Sequence, residues 1–413
     1  MSPVIPFDII TVIIDIVGES KDTDLLKELA LVSHSFLQIC SKHLFATVEL
    51  HDTVPRHYLA ASNKGFVKLL KSRPDVVNYI RKLTYKMGND SHYQSLQLPP
   101  THPNYRSDDD SHLLSLIPPN FLQTIPHLNS LTIASAGDWK TLDSSLKSSL
   151  LHLMQRPTIN HIELSFIRNF PLSSLTSSVN LHRLYISHLF DSHHDGEDGS
   201  FENIHSEMIL RELHTSESSL PTTKLLHAKM QDGRPAFNFT NLRRLSISFT
   251  LFEDEWIIRY LLQNAKLLEK LHLSVDFRRS VVGLLSLSAR TLKVLDLTLF
   301  LYRFSFPPLS GLCEELETMA GHNMLESLSF EIKVDSHETE DFIGSVIQKV
   351  EEVLVNPGWS NLRQVSFKVF CLTWADKAKL EALRSLPDKY LSHLSKLESV
   401  AFNYSADIFK STY

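Results

Sequence analysis

Side chains that can bind metal ions are concentrated in one short segment, residues 191–200 (DSHHDGEDGS). Imidazole and carboxylate groups are the ligands that zinc and calcium use in proteins. The segment lacks ligand spacing on a rigid element, and it lacks the glycine and terminal glutamate pattern of an EF-hand loop. We therefore expect a solvated loop, with no metal or other cofactor held by its six candidate ligands: Asp191, His193, His194, Asp195, Glu197 and Asp198.

Catalytic motifs of defined spacing are missing from the sequence. It contains no GxSxG, HExxH, GxxxxGKS/T or GxGxxG motif, and no cysteine lies near a histidine in a way that suggests a dyad. Glycine occupies only 12 of 413 positions, which leaves little material for phosphate-binding loops. We predict that the protein is not an enzyme. A triad assembled from distant parts of the chain, or an enzyme using the segment 191–200, stays open as a remote alternative.

The charge balance argues against nucleic acid as the main partner. Lysine and arginine number 41, aspartate and glutamate 47, and the net charge is -6, with no basic run that could neutralise a row of phosphates. No stretch approaches the roughly 18 to 20 apolar residues that span a bilayer, and the N-terminus lacks the basic flank of a signal peptide. The three cysteines, Cys40, Cys313 and Cys371, are too few for a disulfide framework. We therefore expect a cytoplasmic or nuclear protein with no membrane partner.

The first 50 residues have the pattern of a small helical module. A first helix is predicted after Pro6 by apolar residues at helical spacing: Ile9, Ile10, Ile13, Ile14 and Val17. Asp24 can cap a second helix. Further apolar residues mark this second helix and a third: Leu25, Leu26, Leu29 and Val32, then Phe36, Ile39 and Leu44. A module of about 45 residues is marginally stable by itself, so it needs a surface on which to dock.

Beyond residue 75 a six-residue unit, LxxLxL, recurs, and its last positions alternate like a strand. Ten clear copies occur: IRKLTY from Ile80, LNSLTI from Leu128, INHIEL from Ile159, LHRLYI from Leu181, LRRLSI from Leu242, LEKLHL from Leu268, LKVLDL from Leu292, LESLSF from Leu325, LRQVSF from Leu362 and LESVAF from Leu397. A degraded eleventh copy begins at Leu210. The spacing between copies is irregular, but the strand unit is constant.

Segments between the copies carry helical periodicity, so strands and helices should alternate along an α/β chain. We predict an irregular solenoid of leucine-rich repeats, with parallel strands on its concave side and helices on its convex side. The expected organisation is a helical module (1–50), a connecting helix with the first repeat and an insertion (51–112), and the solenoid (113–413). Three insertions look loose: 88–112, 191–200 and 215–238.

The opening segment resembles the F-box. Its residues match the F-box motif at the Leu-Pro (Ile5, Pro6), the acidic position (Asp8), the first apolar face (Ile9, Ile10, Ile13), the Asp-Leu (Asp24, Leu25) and the second helix (Leu29, Leu31, Val32). Ser33 and Phe36 stand where the family often has cysteine and then tryptophan. The passage HLFATVELHDT, followed by FVKLLKSRPDVVNYIRKLTYKM, is similar to the layout of fungal F-box proteins with degenerate leucine-rich repeats.

The resemblance implies that the module binds the Skp-type adaptor of a cullin-RING (SCF-type) ubiquitin ligase, while the rest of the chain holds a protein substrate. The adaptor would contact ten residues of the module: Ile5, Pro6, Ile9, Ile10, Ile13, Asp24, Leu25, Leu29, Val32 and Phe36. The alternative is a leucine-rich-repeat interaction scaffold with no ligase role. In that case the module is only a helical cap, and its apolar side chains pack against the first repeat around residues 66–83.

Substrate contacts are expected from the polar positions between the inward leucines, which point to the concave face. The copies at Leu242 and Leu268 place Arg244 next to Lys270 and His272, and the next copy adds Asp296. Two cations, a histidine and one acceptor would form a patch suited to a protein ligand with acidic features. An ordinary solvated strand face is the simpler interpretation of any single residue in this set.

Overall fold

The structure, a computed structural model, describes residues 6–51, 60–87, 119–135, 137–190, 207–249, 255–275, 283–301, 311–335, 339–372 and 377–409. The predicted insertion at 88–112 and the segment 191–200 with its candidate metal ligands lie outside these residues. The chain divides into two compact units, residues 1–208 with 228–236 (unit 1) and residues 209–227 with 237–413 (unit 2). The predicted boundaries at residues 50 and 112 stay predictions.

Unit 1 begins with three helices and continues with strands separated by helical segments. Its elements are α1 (Phe7–Glu19), α2 (Thr23–Ala30), α3 (His34–Leu44), β1 (Thr47–His51), α4 (Ala60–Ser72), β2 (Lys82–Met87), α5 (Pro119–Leu122), β3 (Ser130–Ser135), α6 (Ser144–Met154), β4 (His161–Ser165) and β5 (Arg183–Ser187). Short 3-10 helices lie at Pro74–Asn78, Trp139–Thr141 and Leu172–Ser177.

Unit 2 repeats the same alternation, and the two-residue strand β6 (Met208–Ile209) lies at its border. Its elements are β7 (Glu212–Ser216), α7 (Ser219–His227), β8 (Phe237–Asn238), β9 (Arg244–Phe249), α8 (Glu255–Asn264), β10 (Lys270–Val275), β11 (Val294–Leu301), α9 (Leu312–Met319), β12 (Ser327–Asp335), α10 (Glu340–Leu354), β13 (Gln364–Leu372), α11 (Lys377–Arg384), α12 (Leu386–Tyr390) and β14 (Ala401–Phe409). Short 3-10 helices lie at Leu285–Ser288 and Leu394–Lys396. Among the described helices, none has the length and apolar character needed to cross a bilayer.

Neighbouring strands within each unit pair in parallel. Five strands, β1 to β5, form the series of unit 1, and seven, β7 and β9 to β14, form that of unit 2, which makes twelve parallel strands in the described chain. Parallel neighbours require a crossover connection, and the segments between the copies provide it. The prediction of a mixed α/β protein built from parallel strands is confirmed.

The pairing follows the six-residue unit position by position. Every strand that contains one of the copies, β14 excepted, begins at the third position of its copy, so the apolar fourth and sixth positions meet their counterparts, as Leu271 and Leu273 meet Leu295 and Leu297. Because successive strand side chains alternate, these positions share one face, and all four leucines are 1% exposed or less. The repeated leucines therefore form continuous columns that are the core of each unit.

Two strands differ from the sequence prediction. β1 was missed, although its unit FATVEL has apolar residues at the same places (Phe45, Val48, Leu50), because phenylalanine replaces the leading leucine. The last copy was aligned wrongly: Ala401 pairs with Gln364, so β14 starts two residues later than LESVAF predicts. Leu397 follows the 3-10 helix Leu394–Lys396 and begins a turn before the strand, in which its carbonyl accepts a hydrogen bond from the Val400 amide at 3.2 Å.

Residues 215–238 are not the loose insertion that the sequence predicts. They contain α7, whose first turn accommodates Pro221 and whose Leu225 and Leu226 are buried. The buried hydroxyl groups of Thr215 and Thr222 lie 2.7 Å apart and are hydrogen bonded, which satisfies the polar residue at the sixth position of the degraded copy. A polar-looking stretch is ordered here because its hydroxyl groups find partners inside the unit.

Candidate functional site

The helical module is α1 to α3, and its small core consists of Ile14, Leu26, Ile39 and Cys40. Asp22, not Asp24 as predicted, caps α2, since its carboxylate accepts a hydrogen bond from the Leu25 amide at 3.0 Å. Asp24 lies one residue inside the helix, exposed, and pairs with Lys27 at 2.8 Å.

Ser33 occupies a position where the resemblance leads one to expect cysteine, and the structure gives it a local role. Its hydroxyl oxygen accepts a hydrogen bond from the Phe36 amide at 3.3 Å and caps α3. A serine at this position fixes the start of the helix. The Phe36 side chain is half-buried and packs against the module core.

α1 and α3 approach each other closely at Gly18. A Cβ atom at this position would overlap the imidazole ring of His43. The same ring is fixed from the other side, because His43 Nε2 lies 2.7 Å from the Asp15 carboxylate. The contact holds α1 in one orientation relative to α3, and with it every side chain that α1 presents outward.

Gly18→Ala is expected to loosen the module, although glycine to alanine in a helix ordinarily stabilises it by about 1 kcal/mol. The added methyl group collides with His43, and overpacking of this kind costs about 1 to 3 kcal/mol. Hydrogen exchange of the α1 amides should therefore be faster in the variant. The double variant Gly18→Ala, His43→Ala should restore slow exchange; unchanged exchange in Gly18→Ala alone would contradict the close contact.

The apolar residues of α1 cover more than half of its circumference. Its inward side, with Ile10, Ile14 and Val17, packs in the module core. At about 100° per residue the adjoining side carries four further apolar residues, all about half exposed or more: Ile9 (50%), Val12 (57%), Ile13 (49%) and Ile16 (61%). The turn between α2 and α3 adds exposed Leu31 and Val32. We call these six residues the module surface.

The predicted adaptor contacts divide between this surface and the interior. Ile9, Ile13 and Val32 belong to the module surface, and Leu25, Pro6 and Asp24 are also exposed. Ile10, Leu29 and Phe36 pack against the core instead. Ile5 lies outside the described residues. Val12, Ile16 and Leu31 were not among the predicted contacts; the 3.6-residue period of α1 could have indicated the first two.

The strand face of unit 2 brings the four predicted substrate residues together. Arg244 and Lys270 are register partners on β9 and β10, and His272 and Asp296 are register partners on β10 and β11. Adjacent parallel strands are about 4.8 Å apart, so the four side chains occupy one continuous patch. Alternation places them on the side opposite the leucine columns.

The two cations of this patch already have carboxylate partners. Arg244 lies 3.2 Å from Glu212 of β7, and Lys270 lies 3.1 Å from Asp296. Glu212 was not predicted, although it occupies the third position of the degraded copy and thus pairs in register with Arg244. The patch therefore presents two ion pairs side by side, rather than the free donors expected from the sequence.

His272 is half-buried in the middle of the patch. Burial lowers its pKa below the ordinary 6.5, against the opposing influence of the Asp296 and Glu331 carboxylates. Lys270 and Lys333 act in the same direction as burial. The imidazole is therefore neutral at neutral pH and offers one donor and one acceptor to a ligand.

His272 is expected to make stability depend on pH. Because its folded-state pKa lies below the unfolded value, its contribution is fully present above pH 6.5 and declines as the pH falls toward the folded pKa. Denaturant unfolding between about pH 8 and pH 5 should show a smaller acid-side loss for His272→Gln than for the parent chain. Identical pH slopes in the two proteins would contradict the burial effect.

Ser246, His272 and Asp296 occupy the fifth position on three adjacent strands, so the residue types of a hydrolytic triad stand in one row. The Asp296 carboxylate is engaged by Lys270. Among the described contacts none joins Ser246 to His272 or His272 to Asp296 by a hydrogen bond, and a nucleophile requires that contact with its base. The row therefore places hydrogen-bonding side chains next to one another on the strand face.

No family model matches the chain, and no curated protein is significantly similar to it. Among the described residues, no group of three or more histidine, cysteine, aspartate or glutamate side chains could hold a metal ion. The module surface and the strand-face patch are the two candidate functional sites.

Proposed function

We propose that this protein is the substrate receptor of a cullin-RING ubiquitin ligase. The helical module binds the Skp-type adaptor, and the strand-bearing remainder binds a protein substrate. The observation that carries the proposal is the second apolar side of α1, which stands outward although the module core already uses the first side. Of the residues that resemble the F-box motif, Asp8, Ile9, Ile10 and Ile13 lie on the same helix. Asp24, Leu25 and Leu29 lie on α2.

The module surface supports binding to a protein in particular. The apolar residues of α1 cover a wider arc than the module core can bury, and within the described chain only the side with Ile10, Ile14 and Val17 is covered. Of the large apolar side chains that are exposed in the described residues, eight lie within the short stretch from residue 7 to residue 32. Clustering of this kind marks an interaction site, whereas scattered exposed leucines need no explanation.

The module surface is also held rigidly. The Asp22 and Ser33 caps fix the starts of α2 and α3, and the contact of Gly18 with His43 fixes α1 against α3. A preformed apolar surface loses little conformational freedom on binding, so more of its contact energy appears as affinity.

The strand-bearing parts, we further propose, are leucine-rich repeats arranged as an irregular solenoid, with strands on the concave side and helices on the convex side. Support comes from the pairing of like positions across the parallel strands from β9 to β13 and from helices such as α10 that bury one apolar face. On this arrangement the substrate binds across the patch formed by Arg244, Lys270, His272 and Asp296, together with Glu212.

Co-purification tests the ligase assignment. The full-length chain is mixed with a Skp-type adaptor and its cullin, and recovery of all three in one complex is expected. Absence of the adaptor from the complex, with a chain shown by circular dichroism to be folded, would favour a leucine-rich-repeat scaffold whose helical module is only a cap.

A further inference from the structure

β14, the last strand of unit 2, is covered less completely than the strands before it. On β12 and β13 the core-facing residues Leu328, Phe330, Val365 and Phe367 are 1% exposed or less. The corresponding residues of β14, Phe402 and Tyr404, are only half-buried, and so is Ile408. Within the described chain no strand lies beyond β14, so one side of its apolar face lacks the neighbour that every inner strand has.

Among the described strands, none pairs with the backbone of β14 on the same side. Its Ala401 amide donates to the Arg363 carbonyl of the preceding segment at 2.7 Å, so residues 401, 403, 405 and 407 point their backbone groups toward β13. In a parallel pair the intervening residues point the other way. The N–H and C=O groups of Phe402, Tyr404, Ala406 and Ile408 therefore face outward from the sheet.

The outer edge lacks the devices that usually keep strands from pairing. Exposed edges are normally short, or carry lysine, proline or a bulge. β14 has nine residues (AFNYSADIF), with Asp407 as its one charge and no proline or lysine. A long apolar edge with outward backbone groups is a template for another strand.

We propose that β14 pairs with β14 of a second copy of this chain, antiparallel and centred on Ser405. This register places Phe402 opposite the second copy's Ile408, and Tyr404 opposite its Ala406. All of these residues have outward backbone groups, so every outward N–H and C=O group of one strand meets a partner on the other. If the centre moves to Tyr404 or to Ala406, only three of the four residues with outward backbone groups find partners within the second copy's β14, and the fourth has none.

The side chains complement each other in the same register. On the core-facing side the pairs join a large residue to an aliphatic or small one, which extends the apolar layer that ends at Phe402 and Tyr404. On the polar side Asp407 faces the second copy's Asn403, which can donate to it. The two Asp407 carboxylates lie about 13 Å apart at 3.3 Å per residue, beyond the screening length of about 8 Å at physiological salt.

A closed dimer follows from this geometry, because a two-fold axis through Ser405 pairs the same edge of both copies and leaves no part of that edge for a third. A different partner strand would have to supply complementary residues at every position, whereas the second copy carries them already. The inference does not rest on the proposed ligase function, since β14 and the module surface belong to different units.

Sedimentation equilibrium of the full-length chain tests the proposal. The expected mass is twice the 47.1 kDa of one chain. Asn403→Asp sets a second carboxylate opposite Asp407 at two symmetric contacts and should weaken the dimer about tenfold. Adding Asp407→Lys to Asn403→Asp restores opposite charges and should recover the dimer.

Ile408→Lys places a lysine on the edge strand and should also give monomers. The control is Met324→Lys, because Met324 is an exposed apolar residue of the same unit away from β14; this variant should leave the dimer intact. Ile9→Asp should likewise leave it intact, which separates this contact from association through the module surface. Three results would overturn the proposal: a monomer at every concentration, an open polymer, or a dimer whose stability is the same in the β14 variants as in the parent chain.

Discussion

Ile9→Asp is expected to abolish adaptor binding while leaving the chain folded. Ile9 is half exposed on the outward side of α1, so the substitution removes nothing from the module core. Its position in the first turn even favours an acidic residue, because the helix dipole is positive there. In the complex, however, the new carboxylate would be buried without a partner, which costs about 3 kcal/mol or more and lowers the affinity at least about a hundredfold.

The measurement is a titration of the purified adaptor into the parent chain and the variant. Val179→Asp provides the matched control, since it also places aspartate at an exposed apolar position, but outside the helical module. Substitution is preferable to removal of residues 1–50, because β1 begins at Thr47 and such a truncation would also remove an edge strand. Undiminished binding by folded Ile9→Asp would refute the adaptor assignment.

Glu315→Ala is expected to destabilise the protein by about 3 to 5 kcal/mol. Glu315 is 1% exposed on α9, and its carboxylate accepts hydrogen bonds from the amides of Gly283, Leu285 (2.8 Å) and Ser286 (3.1 Å). Alanine would leave these donors without their acceptor, and each unsatisfied buried group costs about 1 to 3 kcal/mol. Urea unfolding measures the loss.

Glu317→Ala is the matched control, because Glu317 lies on the exposed side of the same helix. Glu315→Gln should give an intermediate loss, since one of its two oxygens is replaced by an amide group that cannot accept. A free energy of unfolding for Glu315→Ala within about 0.5 kcal/mol of the control would show that the carboxylate does not stabilise the turn.

A second buried glutamate repeats the arrangement farther along the chain. Glu351 of α10 is 4% exposed and accepts from the His393 and Leu394 amides at 2.8 and 3.0 Å. In both cases a helix supplies the acceptor for a short turn that is distant in sequence. Nothing in a window of neighbouring residues distinguishes these glutamates from the exposed ones beside them, so sequence reasoning did not find them.

The strand positions, by contrast, could be predicted from the sequence almost completely. An apolar residue at the fourth and sixth positions of each unit is a local signal, because alternation along a strand depends only on near neighbours. The misplaced last copy shows the limit: LESVAF has the right pattern, but the pairing of Ala401 with Gln364 places the strand two residues later. The local pattern of apolar residues fits more than one strand register. Only the pairing with the neighbouring strand determines which register forms.

The candidate surfaces divide in the same way. Periodicity located Ile9 and Ile13 on α1, but only the packing of the three helices showed that Ile10 turns inward and that Val12 and Ile16 stand outward. Alternation placed Arg244, Lys270, His272 and Asp296 on one face. Their ion pairs, including the one with Glu212, depend on which strands are neighbours.

The sequence by itself therefore determined the repeating unit, the type of each element and the class of fold, since each depends on the chemistry of residues a few positions apart. The tertiary structure decided which strand meets which, which carboxylates neutralise cations or cap turns, and which apolar side chains remain uncovered. These outcomes depend on contacts between segments 20 to 40 residues apart, such as the 30 residues that separate Glu315 from the Leu285 amide. Such contacts arise only when the whole unit packs, because desolvation and pairing act on the assembled neighbours of a residue rather than on its neighbours in the chain.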